Sequence, residues 1–224
     1  MSRKTDKKNN GVGYSYSSFQ PRNQKQQEYK DSIESNKIIF ATGPAGTGKT
    51  HVPVSIACEY FIKGKISKII ISRPAIAACG EKHGFMPGDL LNKMDPFLGP
   101  IFDVMNNYWQ DEVIKDMCLK NQIMVVPTAF MRGRTFKDSF IFIDEAQNCT
   151  EEQMLMLLTR IGEAGTMIIS GDLDQNDLRG VKSGLSKAVK LSGVIDGIVA
   201  VEFSKEDIVR DPIVKEILEH WANI

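Results

Sequence analysis

Gly43-Pro44-Ala45-Gly46-Thr47-Gly48-Lys49-Thr50 matches the phosphate-binding pattern G-x-x-x-x-G-K-[ST] at every fixed position. The pattern carries weight only where a strand precedes it and a helix follows. Lys37-Ile38-Ile39-Phe40-Ala41 supplies the apolar run of a buried strand. Behind the loop, Val52, Val54, Ile56, Ala57, Tyr60 and Phe61 recur as a helical stripe that Gly64 closes. Glycines let the backbone turn its N–H groups onto a polyphosphate without side-chain clash, and the helix N-terminus adds partial positive charge. On this reading Gly43, Pro44, Ala45, Gly46, Thr47 and Gly48 cradle the nucleotide, Lys49 reaches its terminal phosphates, and Thr50 offers a hydroxyl to Mg2+. The stretch is a nucleoside triphosphate site.

A second strand serves the same chemistry. Ser139-Phe140-Ile141-Phe142-Ile143 is continuously apolar, as a strand buried on both faces must be, and runs into Asp144-Glu145. Asp144 at the carboxyl end of that strand is placed to hold Mg2+ opposite Thr50. Glu145 is placed to orient and deprotonate the attacking water. An apolar run ending in Asp-Glu is common and mostly structural when it stands alone; downstream of a valid P-loop it reads as a Walker B strand. Met167-Ile168-Ile169-Ser170 is a further strand that ends in Gly171-Asp172-Leu173-Asp174-Gln175. By itself that ending is a turn. Beside a phosphate site, Gln175 can bond the γ-phosphate or the attacking water.

Outward from these motifs the chain alternates strands and helices, the pattern of an α/β fold with a parallel sheet. Residues 1–20 form a polar tail with Arg3, Lys4, Lys7 and Lys8, too poor in apolar surface to fold, and residues 21–224 form one domain. A helix is predicted over Gln24–Ile33. Its Gln26 carries both a donor and an acceptor and so can read adenine, or can simply face solvent. Lys68-Ile69-Ile70-Ile71 predicts a strand ending in Ser72-Arg73-Pro74. Arg73 then sits on the ligand-binding edge, where it meets nucleic-acid phosphate or pairs with a carboxylate. Ala75–Pro96 reads as a loop-rich insertion, with helices over Phe97–Trp109 and Glu112–Leu119 and a strand at Ile123–Val126. Arg132-Gly133-Arg134-Thr135 is a small basic turn that can hold phosphate or face a neighbouring subunit.

Thr150-Glu151-Glu152-Gln153 spells a capping box that opens a helix through Arg160. A helix over Ser183–Leu191, a strand over Gly197–Phe203 and a last helix behind Pro212 follow. Arg210 precedes that helix and either stabilises transition-state charge on the γ-phosphate or makes a surface salt bridge. Among the 224 residues, 28 basic and 28 acidic side chains balance, which excludes a global basic coat but leaves local basic faces open. The four cysteines form no C-x-x-C pair, and no signal peptide or long apolar span is legible, so a cytoplasmic protein with reduced thiols and no membrane contact is expected.

Taken together these residues resemble the PhoH family, ATP-binding P-loop proteins named for phosphate-starvation induction and also carried by phages. The likeness covers about residues 21–220. It is carried by Gln26-Gln27-Glu28-Tyr29, Gly43–Thr50, Ser72-Arg73-Pro74, Gly80–Asp89 and Met131–Phe136. Asp144-Glu145-Ala146-Gln147-Asn148, Gly171-Asp172 with Gln175, Ser183-Gly184-Leu185 and Asp207-Ile208-Val209-Arg210 complete it. The resemblance implies a RecA-like three-layer α/β/α parallel sheet like the first motor domain of superfamily 1 helicases. It implies ATP hydrolysis with Mg2+, Gln26 as adenine reader, Gln175 as γ-phosphate sensor and Arg210 as late arginine. It also implies Arg73 as a nucleic-acid contact and a ring-like, often hexameric, homo-oligomer.

Three positions depart from the family pattern. Pro53 falls in the first turns of the P-loop helix, where it lacks an N–H for the carbonyl of Lys49 and predicts a kink or a loosened turn. Asp174 stands where a hydroxyl residue is usual and puts negative charge near the γ-phosphate, and Asp211 replaces a common histidine. A superfamily 1 motor closes two RecA-like domains around ATP, and this chain has length for one. Either a neighbouring subunit completes the site of an ATPase acting on single-stranded RNA or DNA, or the chain is a nucleotide-switched regulatory binding module without motor activity. A small-molecule phosphotransferase is a third reading, with the Ala75–Pro96 insertion as its lid.

Overall fold

The computed structural model describes residues 16–74, 90–175, 178, 180–209, 213 and 220. Their elements in chain order are α1 (Gln24–Ser35), β1 (Ile38–Thr42), α2 (His51–Ile62), β2 (Lys68–Ser72), α3 (Leu90–Met105) and α4 (Asp111–Leu119). β3 (Ile123–Val125), β4 (Ser139–Ile143), α5 (Glu151–Leu158), β5 (Thr166–Gly171), α6 (Gly184–Ala188) and β6 (Ile198–Glu202) follow. The six strands form one all-parallel sheet in the order β3-β2-β4-β5-β1-β6.

Each strand is apolar at successive positions because both faces of the sheet are covered. Alternate side chains divide between two cores. Ile39, Ala41, Ile69, Ile71, Phe140, Phe142 and Ile168 pack with residues of α1 to α4, among them Tyr29, Ile33, Leu98, Ile101, Met105 and Met117. Their neighbours Ile38, Phe40, Ile70, Ile141, Ile143, Met167 and Ile169 pack on the other face against Met154, Leu157, Leu185 and Ala188 of α5 and α6. The result is the expected three-layer α/β/α arrangement.

The local signals are met where backbone chemistry is complete within a few residues. Thr150 Oγ1 accepts the Gln153 N–H at 3.3 Å while Gln153 Oε1 accepts the Thr150 N–H at 2.9 Å, closing the capping box of α5. At the end of α2, Gly64 takes φ +67°, with Lys65 N–H on Tyr60 O at 2.8 Å and Gly64 N–H on Phe61 O at 3.0 Å. That pair of bonds is a Schellman motif and explains the glycine.

Two expectations are corrected. Residues 90–96 do not belong to a loop: α3 already begins at Leu90 and carries Pro96 and Pro100 within it. Burial of Leu98, Ile101 and Met105 holds this helix against its proline signals. Pro53 introduces no kink either. α2 runs unbroken from His51, Pro53 lies in its first turn, and the flanking N–H groups of Val52 and Val54 bond Gly48 O and Thr50 O at 3.0 and 3.3 Å. The carbonyl of Lys49 that Pro53 cannot serve accepts the hydroxyl of Tyr29 at 3.4 Å. No helix among the described residues is long and apolar enough to cross a membrane.

Candidate active site

Parallel pairing brings the carboxyl ends of the strands to one edge, with Thr42 beside Gly171, Ile143 beside Ile169 and Ser72 beside Ile143. Open α/β sheets bind ligands at that edge. β5 lies between β1 and β4, so the turn after β5 falls between the P-loop and the Asp144-Glu145 pair. A cleft of about 580 Å3 opens there, lined by Gly46, Gly48, Lys49, Thr50, Asp144, Glu145, Asp172 and Gln175 together with Arg22, Gln26, His51, Arg73 and Asp103. Its size is that of a small-molecule site.

The loop between β1 and α2 depends on its glycines. Gly43 has φ +130°, and a Cβ there would lie 2.2 Å from the carbonyl oxygen of Phe203 at the end of β6. Gly48 has φ +99°, and a Cβ there would lie 2.6 Å from Gln26 Nε2. No other residue fits either position. Pro44, Ala45 and Thr47 complete the turn, with Thr47 Oγ1 on Pro44 O at 3.1 Å. Lys49 Nζ donates to Gly43 O at 2.5 Å and Pro44 O at 2.6 Å, so its ammonium lies within the loop. Burial lowers the pKa of Lys49, and the facing carboxylates Asp172, Asp144 and Glu145 oppose that effect.

Asp144 continues the sheet, its N–H on Ser72 O at 2.9 Å. Burial, followed by the neighbouring charge of Glu145, pushes its carboxyl up to about 6, with Arg73, the Glu145 backbone N–H and Lys49 pulling the other way. Glu145 adopts a left-handed backbone, φ +53° and ψ +38°. Its carboxylate is held by Arg73 Nη2 at 3.2 Å and by Gln147 Nε2 at 2.5 Å.

The Mg2+ fit rests on donor chemistry. Thr50 makes no side-chain capping bond, and its hydroxyl and the Asp144 carboxylate are hard oxygen donors lining one cleft. Mg2+ is held by one or two such protein oxygens, with water and phosphate supplying the rest. The residues fit.

The remaining sequence candidates divide. Gln175 is exposed at the cleft, its N–H on Asp172 O at 3.3 Å. Asp174 is exposed and does not line the cleft; its N–H bonds Asp172 Oδ1 at 3.0 Å. Gln26 is buried rather than solvated. Its Nε2 donates to Thr47 O at 2.9 Å and its Oε1 accepts the Arg22 N–H at 3.0 Å, which ties α1 to the P-loop. Arg73 shows the carboxylate pairing that its position allowed. Arg132 and Arg134 are exposed and do not line the cleft; the Arg134 guanidinium lies 5.0 Å from the Phe136 ring centroid. Arg210 and Asp211 lie outside the described residues, as does Gly80–Asp89. Val209, just before Arg210, donates its N–H to Gly46 O at 2.9 Å.

Sequence reasoning quoted Gln147 beside the acidic pair but gave it no role. It is buried, and its Oε1 accepts the Asp172 N–H at 3.1 Å while its Nε2 serves Glu145. Its only local sign is a glutamine two places beyond the acidic pair, which does not reveal a partner on β5.

This geometry has relatives. A family model described as PhoH-like protein matches residues 18–222. The chain is 44% identical over 197 residues to a PhoH-like protein of Bacillus subtilis (strain 168), covering 88% of this chain and 61% of that protein. It is 41% identical over 205 residues to Protein PhoH of Escherichia coli (strain K12), covering 90% and 57%. The chain thus spans about three-fifths of the length of these curated relatives. Among solved structures, the large terminase from the thermophilic bacteriophage D6E is similar in fold, with a TM-score of 0.56 at 12% identity over 89% of this chain and 50% of that one. With the P-loop, the acidic strand end and a family match over residues 18–222, the chain belongs to the PhoH-like protein family.

Proposed function

We propose that this chain is a Mg2+-dependent ATPase whose turnover is coupled to single-stranded RNA or DNA, acting in the cytoplasm as a ring-like homo-oligomer. The observation that carries the reading is that Lys49, Thr50, Asp144, Glu145 and Gln175 line one cleft at the carboxyl edge of the sheet. The P-loop N–H groups and Lys49 neutralise the phosphates, and Thr50 and Asp144 hold the metal. The metal supplies positive charge against the phosphate oxygens. Glu145 accepts the proton of the attacking water through its carboxylate, while Gln175 orients that water against the γ-phosphate. Arg210, following the anchored Val209, adds charge in the transition state. Arg73 supports the nucleic-acid coupling because it joins the carboxyl end of β2 to Glu145, so an anion drawing on its guanidinium acts on the base. Arg132 and Arg134, exposed away from the cleft, suit a subunit or phosphate contact.

A second reading, a nucleotide-switched binding module, draws on the same contact: both Glu145 oxygens are engaged, one by Arg73 and one by Gln147. ATP turnover measured with and without single-stranded RNA or DNA, over a range of protein concentrations, separates the two. Stimulation by nucleic acid and a rate per subunit that rises with concentration support the motor, with Lys49→Ala and Glu145→Gln inactive. Slow turnover flat in both variables favours the switch.

A further inference from the structure

Gln147 binds no phosphate and activates no water in this scheme, yet it is 2% exposed and its amide is used at both ends. Nε2 donates to Glu145 Oε2 at 2.5 Å, and Oε1 accepts the Asp172 N–H at 3.1 Å. A buried amide left without partners is costly, so a glutamine that spans two elements ties them together.

The surroundings are built for that span. A Cβ on Gly171 would lie 2.7 Å from Gln147 Oε1 and 3.0 Å from its N, so only glycine at the end of β5 leaves the amide its room. Glu145 holds a left-handed backbone at φ +53°, a conformation that a non-glycine residue keeps only where the surrounding structure over-determines it. The tight turn Ala146–Asn148 follows directly, with Asn148 N–H on Glu145 O at 3.1 Å. Because β4 and β5 are neighbours in the sheet, the turn after one reaches the backbone after the other. The Gln175 N–H in turn bonds Asp172 O at 3.3 Å. A continuous chain of hydrogen bonds therefore runs Glu145–Gln147–Asp172–Gln175.

We propose that Gln147 is a positioning residue that fastens the Glu145 carboxylate to the Asp172–Gln175 loop, so that the water-activating group and the γ-phosphate-facing glutamine move as one unit. The inference rests on the reading of Glu145 as the base. Arg73 holds the other carboxylate oxygen. When an anion draws Arg73 away, the Gln147 bond still keeps the carboxylate aimed.

Gln147→Met in the full chain keeps the side-chain length and removes both hydrogen bonds. It should lower kcat for ATP by about tenfold or more, the scale on which small misplacements act, with KM and the affinity for a non-hydrolysable ATP analogue within about twofold of the parent. Amide exchange supplies a readout that does not depend on turnover. Glu145→Ala should speed exchange at Asp172, about threefold or more, although Glu145 does not touch that amide; Glu145→Gln, which keeps an acceptor for Gln147, should restore it. Exchange at Asp172 unchanged in Glu145→Ala overturns the proposal, as does a Gln147→Met protein with the parent's kcat. Should the parent itself show no ATP turnover, the ATPase reading fails and the exchange arm still decides the link. Should Gln147→Met not fold, the two Glu145 variants decide it.

Discussion

Arg73 Nη2 stands 3.2 Å from Glu145 Oε1, joining the residue that follows β2 to the residue proposed as base at the end of β4. The pair is partly exposed, with side-chain accessibilities of 22% and 37%, so its net worth to folding is small, below about 1 kcal/mol. Its effect lies in where it holds a carboxylate. Arg73→Ala should raise basal ATP turnover a few-fold and remove stimulation by single-stranded RNA or DNA, while thermal unfolding shifts little. Turnover that falls and remains stimulated would contradict the clamp.

Gln26 reports on a competition between structure and base reading. Its amide bonds Thr47 O and the Arg22 N–H, and Gln26→Ala leaves both without those partners. A loss of about 1–3 kcal/mol in urea unfolding is expected, together with weaker ATP binding as the P-loop loosens. Gly48→Ala should reproduce the binding loss, since its Cβ would meet Gln26 Nε2 at 2.6 Å. Gln26 also lines the cleft, and a Gln26→Ala protein of parental stability that confuses ATP with GTP would show that its adenine-reading role dominates.

Tyr29 and Pro53 form a compensating pair. The Tyr29 hydroxyl serves the Lys49 carbonyl that Pro53, lacking an N–H, leaves open. Tyr29→Phe should cost about 0.5–1.5 kcal/mol in the natural chain. In a Pro53→Ala background the restored N–H can serve the same carbonyl, and the cost of Tyr29→Phe should shrink. Equal costs in the two backgrounds, measured by urea unfolding, would show that the two residues act independently.

Asp144 sets a pH dependence whose sign follows from its pKa, raised by burial and then Glu145 from 3.8 to about 6. On acidification the folded protein takes up this proton before the unfolded chain does. The penalty for a bare buried carboxylate is therefore full above about pH 6 and gone below about pH 4, and this group makes the fold more stable as pH falls through that window. Asp144→Asn should raise stability at pH 7.5 by about 2–3 kcal/mol and flatten the slope between pH 4 and 6, while abolishing Mg2+-dependent ATP binding. Urea midpoints across pH give the difference from the parent. A variant less stable than the parent at pH 7.5 would contradict it.

Much of this molecule was legible in consecutive residues. The strand–loop–helix around Gly43–Thr50, the apolar run into Asp144-Glu145, the Thr150–Gln153 capping box and the Gly64 stop all draw on partners a few residues away, and all are present. The first part of helix α3 was less legible because Asp95-Pro96 is a loop signal locally, and the packing of Leu98, Ile101 and Met105 further along the same helix outweighs it. The kink expected at Pro53 followed from its missing N–H and the crowding of Lys49 O. Pro53 instead falls in the first turn of α2, where a helix tolerates proline, and Tyr29 from a different helix serves that carbonyl.

The sequence by itself determined the class of ligand and the alternation of strands and helices, because glycine conformation, side-chain period and capping are short-range physics. Only the tertiary structure decided that β5 enters between β1 and β4, that Arg73 pairs with Glu145, that Gln26 bonds the P-loop backbone and that Gln147 joins Glu145 to Asp172. A hydrogen-bond donor chooses among acceptors by distance in space. The spacing of residues along the chain does not encode which strand will lie beside which.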